Sequence, residues 1–301
     1  MEQNDVIALG FFDGVHRGHQ QLLRSCRELA DRLGCKAAAL TFTSHPDTLV
    51  FGTTPELINT PADRELLLHR YGMDRVIGLP FDEKMMHLPW QDFFRMLVET
   101  YHAAGLVCGH DFHFGAGGAG TPQILQQACG EIGIPCHVVT EQKIDGVTIS
   151  STHIRSLLKE GRMGEAASFL GHAHILSAEV VRGQQLGRTL GIPTANLELP
   201  PGVICPRFGV YACKTTIEGR EYLAVTNVGR RPTVGGAHIT VEPWILDFSG
   251  DLYGKTLCLR MYEFLRPEQK FADLESLRQA VLHNARQTRD YFAARENSKE
   301  M

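Results

Sequence analysis

DVIALGFFDGVHRGHQQLL, Asp5 to Leu23, is the stretch on which the reading of the fold turns. Val6-Ile7-Ala8-Leu9 is an apolar run that ends at Gly10, the pattern of a short buried strand. The turn Phe11-Phe12-Asp13-Gly14 follows, and then His16-Arg17-Gly18-His19. Beyond it Leu22, Leu23, Cys26, Leu29, Ala30 and Leu33 recur at helical spacing until Gly34 stops them. Two histidines three apart therefore stand where a strand hands over to a helix. That place offers free backbone N–H groups and the positive end of the helix dipole, which suits phosphate. Gly18 puts no side chain between the histidines, so a triphosphate can come close to the backbone. The plainer alternative is a surface histidine pair at a helix start. The preceding strand, the glycine-bounded turn and the second glycine argue against it.

Working outward, the chain of 301 residues is long enough for two domains. With 43% apolar and 21% charged residues it has the composition of an ordinary globular protein. No apolar run approaches membrane-spanning length and the first residues are polar, which predicts a cytoplasmic location with no export signal. Net charge is −4, and residues 1–173 hold 14 Lys and Arg against 20 Asp and Glu, residues 174–301 16 against 14. Neither half has the basic excess of a nucleic-acid binder. The eight cysteines form no C-x-x-C pair and fall in apolar segments, which favours buried free thiols over zinc ligands or disulfides.

Strand-like runs at 36–42, 74–79, 105–109 and 134–140 alternate with helical patterns at 61–71, 89–103 and 122–132. This alternation predicts a parallel sheet with helices on both faces, with ligands at the carboxyl ends of the strands. His16, His45 and the turn Gly109-His110-Asp111-Phe112 all fall at such ends and so can converge on one crevice. His45 alone reads equally as a turn residue, and Asp111 as a helix cap. Gly115 to Gly120 fits G-x-G-x-x-G with Glu141 downstream, but five residues separate it from the preceding strand, so a nicotinamide site is not expected. The half closes with Ile149-Ser150-Ser151-Thr152-His153-Ile154-Arg155, where Ser151 or Thr152 reads as the cap of another helix able to bind phosphate.

After helix 162–170 and Gly171 the texture changes. Short alternating segments at 175–182, 209–217, 220–228, 238–247 and 256–264, with a hairpin signal at Glu218-Gly219, predict a small barrel. Asp273 caps a final helix, 273–295, whose apolar side is read as Leu274, Leu277, Ala280, Val281, Ala285 and Tyr291 or Phe292. Gly183, Gly187 and Gly191 let a loop lie against phosphates. Thr194 and Asn196 offer neutral oxygens suited to Mg²⁺ that a nucleotide has already partly neutralised. A glycine-rich barrel loop with an Asx turn is the plain alternative. Gly250 to Thr256 imitates a P-loop one residue short and is set aside.

Gly10-Phe-Phe-Asp-Gly-Val-His-Arg-Gly-His19 resembles the opening motif of the bacterial bifunctional riboflavin kinase/FMN adenylyltransferase (FAD synthetase) family, part of the HxGH nucleotidyltransferases. Ile149-Ser-Ser-Thr-x-x-Arg155 resembles a second motif of the same group. Gly191-Ile-Pro-Thr-Ala-Asn196 resembles the mark of riboflavin kinases, and Asn227 to Thr233, Val241-Glu242, Asp247-Phe248 and Asp251 to Lys255 follow in the family's order. The resemblance implies α/β plus all-β architecture. A Rossmann-like nucleotidyltransferase domain with a parallel sheet is expected over 1–172, and a small antiparallel β-barrel of riboflavin kinase type with a C-terminal helix over 173–298. It implies conversion of riboflavin to FMN and of FMN to FAD, with ATP as co-substrate and Mg²⁺ as cofactor. The partners expected are these small molecules, with neither nucleic acid nor membrane.

The same resemblance implies Glu242 as the base of the kinase step, and His16, His19 and Arg155 as the catalytic set of the adenylyl step. ATP and its phosphates are expected at Gly10, Phe11, Asp13, Gly14, Gly18, Ser150, Ser151 and Thr152, and in the second half at Gly183, Gly187, Arg188 and Gly191. The flavin is expected at His45, Asp111, Phe112 and Arg266, and the metal at Thr194 and Asn196. Departures from the family pattern are Ser44, His113, Gly118, Thr121, His153 and Pro243-Trp244. His113, Gly118 and Thr121 motivate an alternative in which the chain is a riboflavin kinase alone, its first half a degenerate nucleotide- or flavin-binding module. A different HxGH nucleotidyltransferase fused to a barrel is the other alternative.

Overall fold

A computed structural model of the chain describes residues 4–183, 187, 191–233 and 236–297, of which 231–233, 236–238 and 297 are described by backbone alone. By its contacts the chain divides into two compact units, Met1–Ser151 and Thr152–Met301.

In the first unit β1 (Asp5–Leu9), β2 (Lys36–Phe42), β3 (Arg75–Leu79), β4 (Ala103–Gly109) and β5 (Cys136–Val139) form one sheet in the order β3-β2-β1-β4-β5. Every pairing is parallel. Central β1 is buried along its whole length, which is why it reads as a continuous apolar run instead of an alternating one. The helices are α1 (Arg17–Leu33), α2 (Asp47–Val50), α3 (Pro61–Arg70), α4 (Glu83–Met86), α5 (Trp90–Arg95) and α6 (Pro122–Glu131). Ile7, Leu9, Leu106 and Cys108 pack with Phe93, Leu97, Leu125 and Cys129 on one face of the sheet. Gly105, which alternates with Leu106, faces Leu29 of α1 on the other. The helix expected over 89–103 is shorter than its pattern. After α5 the chain widens into a π turn, Met96–Thr100, closed by Tyr101 N–H to Met96 O at 3.2 Å. His102 at φ 51° then turns it directly into β4. A small hairpin, β6 (Lys143–Ile144) and β7 (Val147–Thr148), precedes α7 (Ser151–Glu160).

The second unit is a closed antiparallel barrel of β8 (His174–Val181), β9 (Asn196–Glu198), β10 (Gly209–Ile217), β11 (Arg220–Thr233), β12 (Gly236–Ile245) and β13 (Thr256–Pro267), in the order β10-β11-β12-β9-β8-β13. Strand β9, only three residues long and so too short to show a period, is the strand that sequence reading passes over. Helix α8 (Met163–Leu170) lies against β8 and β13, and Arg207 N–H bonds Leu158 O at 3.1 Å. For that reason the contacts divide the chain at 151/152, ahead of the change in texture at 172/173.

The last helix, α9 (Leu274–Asn297), starts as expected, with Ser276 N–H donating to Asp273 Oδ1 at 2.7 Å. Its inner side differs from the expected stripe. Leu274 is exposed, whereas Asn284, Ala285, Thr288 and Phe292 are buried. Ala285 packs with Val210, Val225 and Leu246 of the barrel, and Arg289 holds both oxygens of Asp247 at 3.0 Å.

All eight cysteines are free thiols, four of them buried. No helix among the described residues is long and apolar enough to cross a membrane.

His174, on β8, is 1% exposed and neither ring nitrogen has a hydrogen-bond partner. Burial, and secondarily the neighbouring His172, pushes its imidazole down to about 3. The unfolded chain therefore takes up this proton below pH 6.5 while the folded barrel does not, so stability is complete above pH 6.5 and falls as pH drops toward 3. Between pH 7 and pH 5 wild type should lose roughly 2 kcal/mol more than His174→Leu. Urea unfolding of both proteins at the two pH values checks this, and parallel losses would refute it.

Candidate functional site

In the first unit the strand order reverses beside β1, and the crevice at the carboxyl ends of β1 and β4 is where such sheets take ligands. A cavity of about 640 Å³ lies there, lined by Gly10, Phe11, His16, Gly18, His19, Asp111, Phe112, Ser150 and Ser151 among others. These nine of the expected residues thus converge, whereas Asp13, Gly14 and His45 do not line the cavity. The turn that delivers His16 is strained, with Phe12 at φ 59° and the β-branched Val15 at φ 39°. His16 caps α1, its Nδ1 accepting His19 N–H at 3.3 Å. The two imidazoles stack with centroids 3.6 Å apart. Gly18 serves this stack directly, because a Cβ there would lie 3.3 Å from Cε1 and Nδ1 of His16. Burial, then the charges of His16 and Arg64, hold His19 well below the ordinary imidazole value, so it is neutral at pH 7.

His45 is placed against this crevice through Phe11, the rings meeting edge-on at 4.5 Å. Asp13 turns away from it. Its carboxylate is buried and accepts Ile58 N–H at 2.9 Å, and its carbonyl accepts the Ser151 hydroxyl at 3.0 Å. Gly14 follows in the same buried turn. Helix α7 begins at Ser151 itself, with Thr152 and Arg155 on its first turns. The glycine run 115–120 forms a short 3-10 turn, and α6 starts only at Pro122, capped by Thr121. No strand–turn–helix for a dinucleotide exists there.

In the barrel the register does the assembling. Asn227 on β11 is the partner of Glu242 on β12. Leu197 pairs with Val241 and Thr194 bridges Trp244, so the same register sets Asn196 opposite Glu242 on the other side. Asn227, Glu242 and Asn196 thus form a row across three strands, and all three line a cavity of about 260 Å³ together with Thr194, Gly187 and Arg266. Gly183 lies under the Asn196 amide, where a Cβ would overlap it. Gly187 O accepts Ile192 N–H at 2.8 Å, and Gly191 takes φ 71° in the turn before Ile192. Arg188 lies outside the described residues. Arg266 donates to Asn284 Oδ1 at 3.1 Å and lies 5.6 Å from the Phe271 ring, and burial lowers its pKa. A second cavity, about 560 Å³, lies beside the first. Pro193, Thr194 and Ala195 line it with Phe248, Gly250, Asp251 and Tyr253, so Thr194 borders both.

Residues 1–153 match the FAD synthetase family and residues 170–292 the riboflavin kinase family. The chain belongs to the bifunctional riboflavin kinase/FMN adenylyltransferase family. Proteins of that name are 36% identical in Pseudomonas fluorescens, covering 92% of this chain and 89% of the relative, and 35% identical in Escherichia coli K12, covering 97% and 94%. The Listeria monocytogenes relative is 31% identical over 98% of this chain and 94% of its own. A crystal structure described as a macrolide-efflux protein from Streptococcus pneumoniae has the same fold, with a TM-score of 0.86 and 30% identity over 96% of this chain and 95% of that one. Both halves match, which supports the bifunctional reading over a kinase alone.

Three of the residues in which this chain departs from the FAD synthetase pattern have local partners of their own. Thr121 caps α6 through Ile124 N–H, His113 Nδ1 meets Asp111 O at 2.9 Å, and His153 packs edge-on against Phe169. Sequence reading missed Arg64, which a helical pattern assigns to the solvent side. It is buried, donates to Phe11 O at 3.1 Å and Phe42 O at 2.8 Å, and lies 4.3 Å over the Phe11 ring. Its one signal is an arginine beside leucines on an otherwise weakly amphipathic helix. Arg64→Met should cost about 3 kcal/mol, since Phe42 O loses its donor, Phe11 O is left with the Thr41 hydroxyl alone, and buried Asp13 loses a neighbouring cation, and it should depress FAD formation while riboflavin phosphorylation persists. Arg64→Lys, a point charge without the fork, should recover little of it. Urea unfolding together with product chromatography checks both, and an unchanged midpoint for Arg64→Met would reject the role.

Proposed function

We propose that the chain phosphorylates riboflavin to FMN in the barrel and adenylylates FMN to FAD in the α/β unit, each with ATP. The row Asn227–Glu242–Asn196 carries the kinase reading, because it sets a carboxylate between two amides inside an apolar cavity. An alcohol is a poor nucleophile at neutral pH, so Glu242 takes the proton of the riboflavin 5′-hydroxyl as its oxygen attacks the γ-phosphorus. Val210, Val225, Trp244, Phe271 and Val281 give the isoalloxazine an apolar bed, with Arg266 at its polar edge. ATP takes the adjoining cavity, so the transferred group passes beside Thr194. Among the described residues no cluster of three His, Cys, Asp or Glu side chains suits a metal. Mg²⁺ would therefore be held by the neutral oxygens of Thr194 and Asn196 together with phosphate oxygens. When bound, it neutralises charge on the transferring phosphoryl group. Gly183, Gly187, Arg188 and Gly191 are proposed for the phosphates.

In the α/β unit the FMN phosphate attacks the α-phosphorus of ATP and pyrophosphate leaves. The attacking oxygen is already an anion, so no base is needed. His16 and His19 serve as hydrogen-bond donors at the start of α1, where the dipole favours developing negative charge. A neutral His19 suits this role, because it donates without adding a cation. Gly10, Phe11, Asp13, Gly14, Gly18, Ser150 and Ser151 are proposed around ATP. Thr152 and Arg155, further along the helix that Ser151 opens, are proposed for its phosphates as the family motif implies. His45, Asp111 and Phe112 are proposed for the flavin. Domain limits of 1–172 and 173–298, and a cytoplasmic location in keeping with eight free thiols, belong to the same reading.

The two sites are separable by mutation. His19→Ala should lower FMN-to-FAD conversion roughly a hundred- to a thousand-fold and leave riboflavin phosphorylation nearly intact. Glu242→Gln should lower phosphorylation by ~10²–10⁴-fold while supplied FMN is converted at the wild-type rate. Product chromatography from riboflavin or FMN with ATP reads both, and the assignment of either site fails if its variant turns over normally.

A further inference from the structure

One face of the α/β sheet gathers three cysteines that neither reaction uses. In the parallel pairing of β4 with β5, Leu106 stands opposite Cys136 and Cys108 opposite Val138, so Cys108 and Cys136 share a face at an offset of two residues. Helix α6 covers that face with Cys129, and all three pack into the core that holds Leu106, Leu125 and Phe114. The Cys136 sulfur accepts thiol hydrogen bonds from both Cys108 and Cys129. Cys108 and Cys129 are buried, whereas Cys136 is half-buried at the start of β5, an edge strand of the sheet. Among the described residues no group of three His, Cys, Asp or Glu side chains suits a metal, so the chemistry open to this cluster is redox chemistry. The two thiol hydrogen bonds hold Cys136 below the ordinary thiol value against its burial, and His137 adds a smaller pull the same way. A partly accessible thiolate beside a second thiol is what peroxides oxidise and a neighbour then resolves. Buried Cys26 and Cys213 differ, their thiols being pushed up to about 12 by burial.

We propose that Cys136 is a peroxide-reactive thiol with Cys129 as its resolving partner, so that oxidation closes a Cys129–Cys136 disulfide in the α/β unit. The Cys136 thiolate attacks the hydroxyl oxygen of a hydroperoxide and the O–O bond breaks. The sulfur becomes a sulfenic acid, and the other oxygen leaves as an anion that takes up a proton. The Cys129 thiol then attacks that sulfur. The S–S bond forms, the S–O bond breaks, and the hydroxyl leaves as water with the Cys129 proton. The two sulfurs have then given two electrons to the peroxide, and a dithiol reverses the bridge by exchange. Geometry selects Cys129 over Cys108. Strands about 4.8 Å apart and two residues of rise, about 6.6 Å, put the Cα atoms of Cys108 and Cys136 roughly 8 Å apart, and an unstrained disulfide spans less than about 7 Å. Cys129 lies in the last turn of α6, where its carbonyl accepts Ile134 N–H at 3.0 Å, two residues before Cys136. Bonding draws the two sulfurs together, and a close-packed interior passes that movement on to α6 and β5. From this cluster β4 and β5 lead into the 640 Å³ cavity, which Gly109, Asp111, Val139 and Glu141 help to line. Oxidation therefore displaces one wall of that cavity and slows FAD formation. This effect rests on the α/β unit being the adenylyl site, whereas the bridge itself does not.

The full-length protein, treated with limited hydrogen peroxide and then blocked at its remaining thiols, should show a Cys129–Cys136 linkage by peptide mass spectrometry before any other cysteine is oxidised. Cys129→Ser should instead leave Cys136 as a sulfenic acid that dimedone captures, and Cys136→Ser should give neither product. FMN-to-FAD conversion by the oxidised protein should fall on the order of tenfold to a hundredfold and return with dithiothreitol, while riboflavin phosphorylation is unchanged. Cys136→Ser should keep its FAD formation under the same peroxide. The mapping uses wild type, so it decides even where a serine variant does not fold. Earlier oxidation of another cysteine, or no linkage between Cys129 and Cys136, overturns the assignment. A linkage that leaves FAD formation unchanged overturns its effect on the cavity. Reduced wild type that makes no FAD overturns the adenylyl reading, and the linkage is then still judged by the mapping.

Discussion

Arg64 donates to the carbonyl of Phe42, where β2 ends, and to that of Phe11, in the turn just beyond β1, which also accepts the Thr41 hydroxyl. A buried guanidinium costs desolvation, which its lowered pKa reports, and the charge of Asp13 opposes that cost. The same Asp13 holds Ile58 through its carboxylate and the Ser151 hydroxyl through its carbonyl. One ionic centre therefore fixes the ends of two strands, the strained turn before His16 and the start of α7. The stacked imidazoles are held in place because their surroundings are locked in this way. Preorganisation of that kind is what an electrostatic site requires, since donors that must reorganise during reaction lose most of their effect.

The barrel reaches its site by register instead. Side chains directly opposite one another on neighbouring strands share a face, so two pairings suffice to line up Asn227, Glu242 and Asn196. The amides flank the carboxylate without neutralising it, and the glycines at 183 and 229 leave room for Asn196 and Glu268 to lie over the sheet. The contrast with the α/β unit follows from the nucleophiles. A hydroxyl has a proton to lose, and a general base assists its attack. A phosphate oxygen has none, and the residues around it need only bind and stabilise.

Much of this was legible in the chain. The strand–turn–helix over residues 5–33, the parallel alternation, the free cysteines, the barrel strands and the cap at Asp273 are local patterns of period, glycine and capping. The motif residues that line the two cavities were legible too, because backbone approach to phosphate demands particular residue types at short spacing. The helix expected over 89–103 overran, since apolar residues at helical spacing (Phe93, Leu97, Tyr101, Ala104) continue past its end into β4, and apolar periodicity alone does not separate a buried helix end from a buried strand.

What sequence alone determined, then, is the order of elements and the chemistry carried by contiguous motifs. Tertiary structure decided which side chains meet across long separations. Arg64 looks like a solvated helix arginine until the ends of β1 and β2 are seen beside it. Asn284 occupies a buried position on α9 although it breaks the apolar stripe, because Arg266 of the barrel donates to its amide oxygen. Glu268 carries no motif that separates it from a surface glutamate. Its carboxylate reaches the cavity that Glu242 lines only because β13 closes the barrel and Gly229 leaves a gap. Pairing register and closure are properties of the whole sheet, and no window of sequence contains them.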